Sequence, residues 1–485
     1  MSRSSGRVAC VATSMVVLLS GLAAAEEWSR FRGPNGSGVA EGRGLPAEFG
    51  PSLNADWATE IPFGRSSPVF AGDRVFLTAT DGEQLVTLAL APATGRILWR
   101  RGVERTRDAS LYRGSDSASS SPATDGSNVY VIFHELGVLA YDWDGHELWR
   151  HPLGPLRNYY GVAASPVLAG NRLFVVCDQA LGSFVLALDT GTGKPLWRTG
   201  RPRRRESYAT PVLYPSATKP RLLVVYGSQW VDAYEVESGE LAWSLGGVSA
   251  APVPSPALDG DRLIVSGINQ VEEPMPPFTE VAAQRDKDGD GCLTAAELEG
   301  SWMAEHVGWL DIDADGCVSA ADWSATDDEM TAEGWGVFGI QLGSAEPKVL
   351  WNYQRNTAHI GSPVVYENVL YMAKDSIASS LNPATGEVYK RGRLARGKMQ
   401  VFASAVAGDG KVYFAGREGQ VAVVKAGPQW EVLAVNDLDD EIYATPAIVD
   451  GHLYIRTRGH LYSFSSREER RSRSSPSAGP ITGGR

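Results

Sequence analysis

The sequence predicts an all-β protein: an eight-bladed β-propeller closed by an N-terminal strand, with a small α-helical EF-hand pair inserted in the fifth blade. Three observations carry this prediction. A short phrase recurs eight times along the 485 residues, one strand is spare at the start and one missing at the end, and the acidic side chains crowd into a single step of the repeat.

The phrase appears as "SSPVFAGDRVFLTA" (66–79), "SSPATDGSNVYVIF" (120–133), "ASPVLAGNRLFVVC" (164–177) and "ATPVLYPSATKPRLLVVY" (209–226). It returns as "PSPALDGDRLIVSG" (254–267), "GSPVVYENVLYMA" (361–373), "ASAVAGDGKVYFAG" (403–416, with Ala405 for proline) and "ATPAIVDGHLYIRT" (444–457). Counted at the proline position, the steps are 54, 44, 45, 45, 107, 42 and 41 residues. A period in the forties fits four short strands per unit.

Within a unit the proline opens a strand, where its missing N–H costs no ladder bond. A Gly-Asp or Gly-Asn turn follows, then an alternating strand such as "RVFLTA". A third strand ("LVTLAL", 85–90), a Thr-Gly turn and a fourth strand ending in Trp ("RILWR", 96–100) complete it. The tryptophan returns at Trp149, Trp197, Trp243 and Trp351, where its expected work is to fill the wedge between neighbouring sheets. Such a sheet cannot bury both faces alone, so the units stack radially as blades. The last unit stops after "LYSFSS" (461–466), while "ADWATEIP" (55–62) precedes the first with Trp57 where a fourth strand carries it. The leading strand is therefore expected to finish the last blade and hide its edge.

Here the residues resemble a family. "ALDTGTGKPLW" (187–197) is similar to the tryptophan-docking motif of pyrroloquinoline-quinone (PQQ) propellers at Ala187, Asp189, Thr192, Gly193 and Trp197. "LAPATGRILW" (90–99) and "LNPATGEVY" (381–389) are partial copies. Together with the leading "WSRFRGPNGSG" (28–38), the chain resembles secreted bacterial PQQ-like proteins described as BamB-like. The motif braces blades and does not hold the quinone, so the resemblance implies the fold and leaves the function open.

The step of 107 residues holds an insertion between "DRLIVSGINQ" (261–270) and "GVFGIQL" (336–342). Residues 278–333 carry 15 acids and two bases, which accounts for the whole net charge of −12. The rest is near neutral and gives no reason to expect nucleic-acid binding. Inside, "RDKDGDGCLTAAELEG" (285–300) sets Asp286, Asp288, Asp290, Cys292 (through its carbonyl), Thr294 and Glu297 at the ligand positions of a twelve-residue Ca²⁺ loop, with Gly291 at the sharp turn. A second loop offers Asp311, Asp313, Asp315, Cys317 (carbonyl), Ser319 and Asp322. Hard Ca²⁺ wants six to eight oxygens, and crowded carboxylates repel without it, so the cation is expected to order the insert. Leu293 and Val318, at equivalent positions, are expected to join the loops by a β-bridge. A disulfide between Cys292 and Cys317 stays open, and Cys177 reads as a buried small hydrophobe.

The ends and boundaries follow. Residues 1–25 read as a signal peptide with an Ala23-x-Ala25 exit, and no later run is long enough to span a bilayer. The expected mature protein is exported, periplasmic or extracellular, and monomeric. Residues 26–54 form an N-terminal extension, 55–271 and 334–465 the two parts of the propeller, 272–333 the insert, and 466–485 a disordered tail. "RPRRRE" (201–206) reads as a solvated basic loop.

Two functions compete. A PQQ-dependent dehydrogenase, as the resemblance implies it, uses a vicinal cysteine pair over the quinone beside a central Ca²⁺. No adjacent cysteines occur here, the seven histidines show no metal spacing, and no nucleophile elbow or phosphate loop appears. PQQ is accordingly not expected, and no catalytic residue is assigned. The favoured reading is a non-catalytic binding or scaffolding propeller. Residues three before each proline position (Arg65, Ser119, Ala163, Tyr208, Val253, Ile360, Phe402 and Tyr443) would line one channel mouth. There Tyr208, Phe402 and Tyr443 are candidates to touch a protein, peptide or glycan.

Overall fold

The computed structural model describes residues 28–106, 111, 115–215, 221–267, 275–331, 334–344 and 346–466. The expected signal peptide (1–25) and all of the expected disordered tail but residue 466 lie outside these residues. Eight four-stranded antiparallel sheets form the ring. Blade 1 runs through Val69–Ala71, Arg74–Asp81, Gln84–Leu90 and Ile97–Glu104, and blades 2 to 7 repeat the pattern. Blade 8 takes Ala447–Val449, His452–Arg456 and His460–Phe464 from the end of the chain and Ala55–Glu60 from its start. Thr59 pairs with Leu461 and Trp57 with Ser463, so the leading strand closes the ring as the repeat count predicts. Blade 5 joins Ala257–Asp259 and Arg262–Gly267 to Gly336–Gln341 and Lys348–Tyr353, and the insert leaves between its second and third strands.

Burial follows from position in the sheet. Second and third strands are covered on both faces by neighbouring blades, so Arg172–Cys177 and Phe184–Asp189 bury all but their first or last residue. Fourth strands alternate, as in Ile97–Glu104, because their outer face meets solvent. Trp149 donates its indole N–H to the Thr190 carbonyl of the next blade at 2.8 Å, and Trp57, Trp99, Trp197 and Trp351 dock in the same way at 2.8–3.1 Å. Gly193 receives the Trp149 ring: its φ is +67°, and a Cβ there would lie 2.4 Å from the indole.

A device not anticipated from sequence stitches the channel wall. The backbone N–H of Ser67 donates to the hydroxyl of Ser121, Ser121 to Ser165, Ser165 to Thr210 and Thr210 to Ser255. Ser255 continues to Ser362, Ser362 to Ser404, Ser404 to Thr445, and Thr445 back to Ser67. Eight blades thus share one closed circle of buried bonds, all 2.8–3.0 Å long. The signal was the Ser or Thr before every proline position, including the copy with Ala405. Thr445→Val keeps the shape but leaves the Ser404 N–H buried without an acceptor. It is expected to cost about 1–3 kcal/mol in denaturant unfolding, with Thr445→Ser near neutral.

The N-terminal extension crosses the far ends of the innermost strands. The Trp28 and Ser29 carbonyls accept from Phe70 and Thr124 at 2.8 and 2.9 Å, Asn35 pairs with both backbone groups of Leu213, and Val39 bridges Ala407. Residues 28–40 therefore plug one end of the channel through blades 1, 2, 4 and 7. Among the described residues no helix is long and apolar enough to cross a membrane.

Candidate functional site

The insert contains three short helices, α1 (Phe278–Arg285), α2 (Val307–Leu310) and α3 (Ala320–Met330), with a 3₁₀ turn at Trp302–His306. Val281, Leu293, Leu298, Leu310, Val318 and Trp323 give it a core separate from the blades. Leu293 and Val318 exchange backbone bonds at 3.2 and 3.1 Å, which is the expected bridge. The loops lie side by side, and Cys292 and Cys317 are joined as a disulfide with Cα atoms 5.3 Å apart. Cys177 is buried and unpaired.

Each loop gathers three of its short acids. In loop 1 Asp286, Asp288 and Asp290 bring their carboxylates within 4.8 Å of one another. The Asp286 oxygens accept from Gly289 and Gly291, and Cys292 N–H bonds Asp290. Glu297 swings back over the loop, accepting from Lys287 N–H through one oxygen and from Thr294 through the other. Backbone N–H groups, that of Thr294 first, hold its carboxyl below the ordinary value. Loop 2 groups Asp311, Asp313 and Asp315 in the same way. Asp322 takes the Glu297 role through Ile312, Ser319 N–H and Ser319 hydroxyl, and also caps α3. Asp311 is 6% exposed, and one of its oxygens has no partner. A buried lone carboxylate oxygen facing two neighbouring acids suits a hard cation.

The insert does not dangle. It leaves blade 5 at the mouth where the innermost strands begin, then lies across blades 3 and 4. Arg157 donates to the Asp311 carbonyl at 3.0 Å, Tyr159 to Glu305 O at 3.2 Å, and Ser228 to Glu329 at 2.8 Å. Arg205 meets Glu329 at 2.8 Å. This corrects the reading of "RPRRRE" as a solvated loop. Arg201 has no exposed side-chain surface and joins Asp178 and Asp232, Arg204 pairs with Asp232, and Arg205 anchors the insert. Their acidic partners come from other strands and from the insert, so a local charge run revealed none of them.

Tyr208 is corrected too. It is 6% exposed, packs against Tyr160 at 5.4 Å and donates to Glu206. At that exposure its ring offers no surface to a large partner. Burial pushes the Glu206 carboxyl up to about 7; the Tyr159 N–H opposes the shift and nearby Glu329 adds to it. Burial likewise raises Glu329, against the pull of Arg205. A carboxyl raised above its ordinary 4.5 contributes stability that is complete below about 4.5 and lost as pH climbs to about 7. Glu206→Gln is expected to match the parent near pH 4.5 and to exceed it by ~2–3 kcal/mol at pH 8 in denaturant unfolding. Equal gaps at both pH values would refute the assignment.

The opposite side of the mouth carries a cluster of arginine and aromatic side chains. Arg65 lies over the Tyr443 ring at 4.4 Å, and Arg417 reaches Tyr443 at 5.5 Å and Phe402 at 5.9 Å. Phe402 and Tyr443 stand 6.3 Å apart, both half-buried, and Arg458 covers Phe63 at 5.4 Å. Glu441 ties Arg417 and Arg458 together at 3.3 Å each. Ser119, Ala163, Val253 and Ile360 are half-buried around the rest of the rim. The residues do not fit PQQ as the resemblance describes its site. Cys177 ends a buried strand and the other two described cysteines bond inside the insert, so no vicinal pair can stack on a quinone.

Comparisons with known proteins agree with this architecture. One family model, described as "Outer membrane protein assembly factor BamB", matches residues 55–199, 137–271 and 325–475. A curated relative, the outer membrane protein assembly factor BamB of Burkholderia pseudomallei (strain K96243), is 27% identical over 169 residues. That match takes in 33% of this chain and 39% of the relative's length. Among solved structures, BamB from Moraxella catarrhalis superposes with a TM-score of 0.53 at 12% identity, over 85% of this chain and 98% of that one. A europium-containing methanol dehydrogenase gives 0.55 at 11% identity over 91% and 98%. The quinohemoprotein alcohol dehydrogenase ADHIIG from Pseudomonas putida HK5 gives 0.57 at 12% over 91% and 80%. At such identities these likenesses speak for the fold alone. With its repeats, its ring and more than half of its length under one family model, this chain belongs to the BamB family of propellers.

Proposed function

We propose that this chain is an exported, non-catalytic binding and scaffolding propeller, working in the periplasmic or extracellular space of a bacterium, with a calcium-loaded insert fixed over half of its channel mouth. The observation that carries this reading is the half-buried stack of Arg65, Tyr443, Arg417 and Phe402 at the mouth. Arginine and aromatic side chains dominate the energy of protein contacts, because they combine large apolar area with directed charge. A protein segment is the occupant that chemistry favours. The relatives' printed role, assembly of outer membrane proteins, is the setting the reading adopts, with the partner itself unidentified.

Ca²⁺ would be held by the six positions of each loop, Asp286 to Glu297 and Asp311 to Asp322, and would supply charge neutralisation and order with no chemistry of its own. Titrating the full chain with Ca²⁺ by calorimetry is expected to show two events. Glu297→Gln should weaken one of them at least tenfold and leave the other unchanged. The binding role is tested by capture from an envelope extract, with the double variant Phe402→Ala/Tyr443→Ala as control: the partner should be lost while the calcium heats persist. Bound-quinone absorbance and dye reduction after incubation with PQQ and Ca²⁺ would overturn the non-catalytic reading.

A further inference from the structure

Two arginines of the plug reach along the channel wall to the starts of two innermost strands. Arg30 is 7% exposed and Arg32 fully buried. Arg30 donates to Pro211 O at 2.5 Å and weakly to Asn35 at 3.4 Å, and Arg32 to Pro363 O at 2.6 Å and weakly to Ser37 O at 3.5 Å. The Nε of each and Nη1 of Arg32 are buried without any acceptor. Among the described residues no carboxylate forms an ion pair with either.

The other fully buried arginines are more fully partnered, although the Nε of Arg456 is likewise buried without an acceptor. Arg201 is matched by Asp178 and Asp232, and Arg456 donates to Ser66 O, Ser66 Oγ, Thr78 O and Pro62 O. Two neighbouring buried cations with orphan donors and no counter-charge among the described residues are costly enough that an anion is the natural complement. Burial pushes both guanidinium groups down to about 9, and the charge of Arg30 adds to the shift at Arg32. The backbone is bent to place them: Arg32 has φ +62°, a conformation that disfavours a side chain, and is held there by the Gly38 N–H on its carbonyl at 2.8 Å.

We propose that Arg30 and Arg32 bind one small oxyanion, of the phosphate or sulfate class, where the plug meets the channel wall. The planar N–H fork of a guanidinium matches paired oxygens, which favours an oxyanion over a halide. The anion would tie the plug to blades 4 and 6, whose Pro211 and Pro363 carbonyls already receive these arginines.

The test uses the full chain, unfolded and refolded in chloride buffer to remove any co-purified anion, then titrated with sodium phosphate or sulfate at constant ionic strength. Calorimetry is expected to give one event, and the melting temperature to rise by on the order of 2 °C at saturation. Arg30→Met/Arg32→Met should fold, since methionine replaces a buried cation with apolar volume, and should lose at least tenfold in affinity. If circular dichroism shows that this variant fails to fold, Arg32→Lys, which keeps the charge and loses the fork, is expected to weaken binding at least threefold. Anomalous signal from selenate between the two side chains in crystals would place the anion. An absence of both heat and melting shift in the parent chain overturns the proposal. So does an unchanged affinity in the folded variants.

Discussion

Asp178→Ala is expected to destabilise the protein by about 3–5 kcal/mol, because it strands part of a charge that has no route to water. Arg201 reaches Asp178 at 2.6 Å through Nε and 3.1 Å through Nη2, and both side chains are fully buried. Ser207 adds a third bond to the same carboxylate at 2.6 Å. The arginine continues to Asp232 and Tyr234 in the neighbouring blade, so the cluster rivets blade 3 to blade 4. Denaturant unfolding measures the loss. Asp178→Leu combined with Arg201→Met should recover most of it, since an apolar pair needs no counter-charge. A cost below about 1 kcal/mol for the single variant would mean that water reaches the site and the rivet is not one.

Trp149→Ala should cost a similar ~3–5 kcal/mol, for a different reason. Its ring fills the wedge onto the Gly193 turn and its N–H bonds Thr190 O, so truncation opens a cavity and leaves that carbonyl with only the long 3.5 Å bond from the Tyr130 hydroxyl. Its neighbour Leu148 is 48% exposed, and Leu148→Ala should change stability by no more than about 0.5 kcal/mol. Comparable losses at the two positions would show that the indole is not a brace.

These two sites also show what a sequence can display. Trp149 was legible because its role repeats: the same residue at the same phase in unit after unit can only be a feature of the unit. The closing strand was legible for the same reason, as a counted absence at one end. Asp178–Arg201 was not, because the two are joined by a fold-level meeting of strand ends that no local window contains. The Ser/Thr circle was visible as a pattern yet mute, since a small polar residue before proline declares no partner. Tyr208 sat at the right rim position, but Tyr160, which packs on it, comes from a different stretch of chain. The plug escaped notice because "FRGPNGSG" looks like loop, and its bonds go to carbonyls that every residue carries. The two carboxylate clusters were plain, since short acids at alternate positions before a glycine stand next to one another in the chain itself.

Closure by the leading strand has a consequence for how the molecule comes into being. Asp56 meets His452 across 396 residues of chain. Synthesis delivers the first of these partners early and the second almost last. Throughout the interval the leading segment has no edge to join, and the growing arc of sheets stays open. Maturation is therefore bound to end in a single late event, the docking of head against tail, and the circle of hydroxyls can be completed only then.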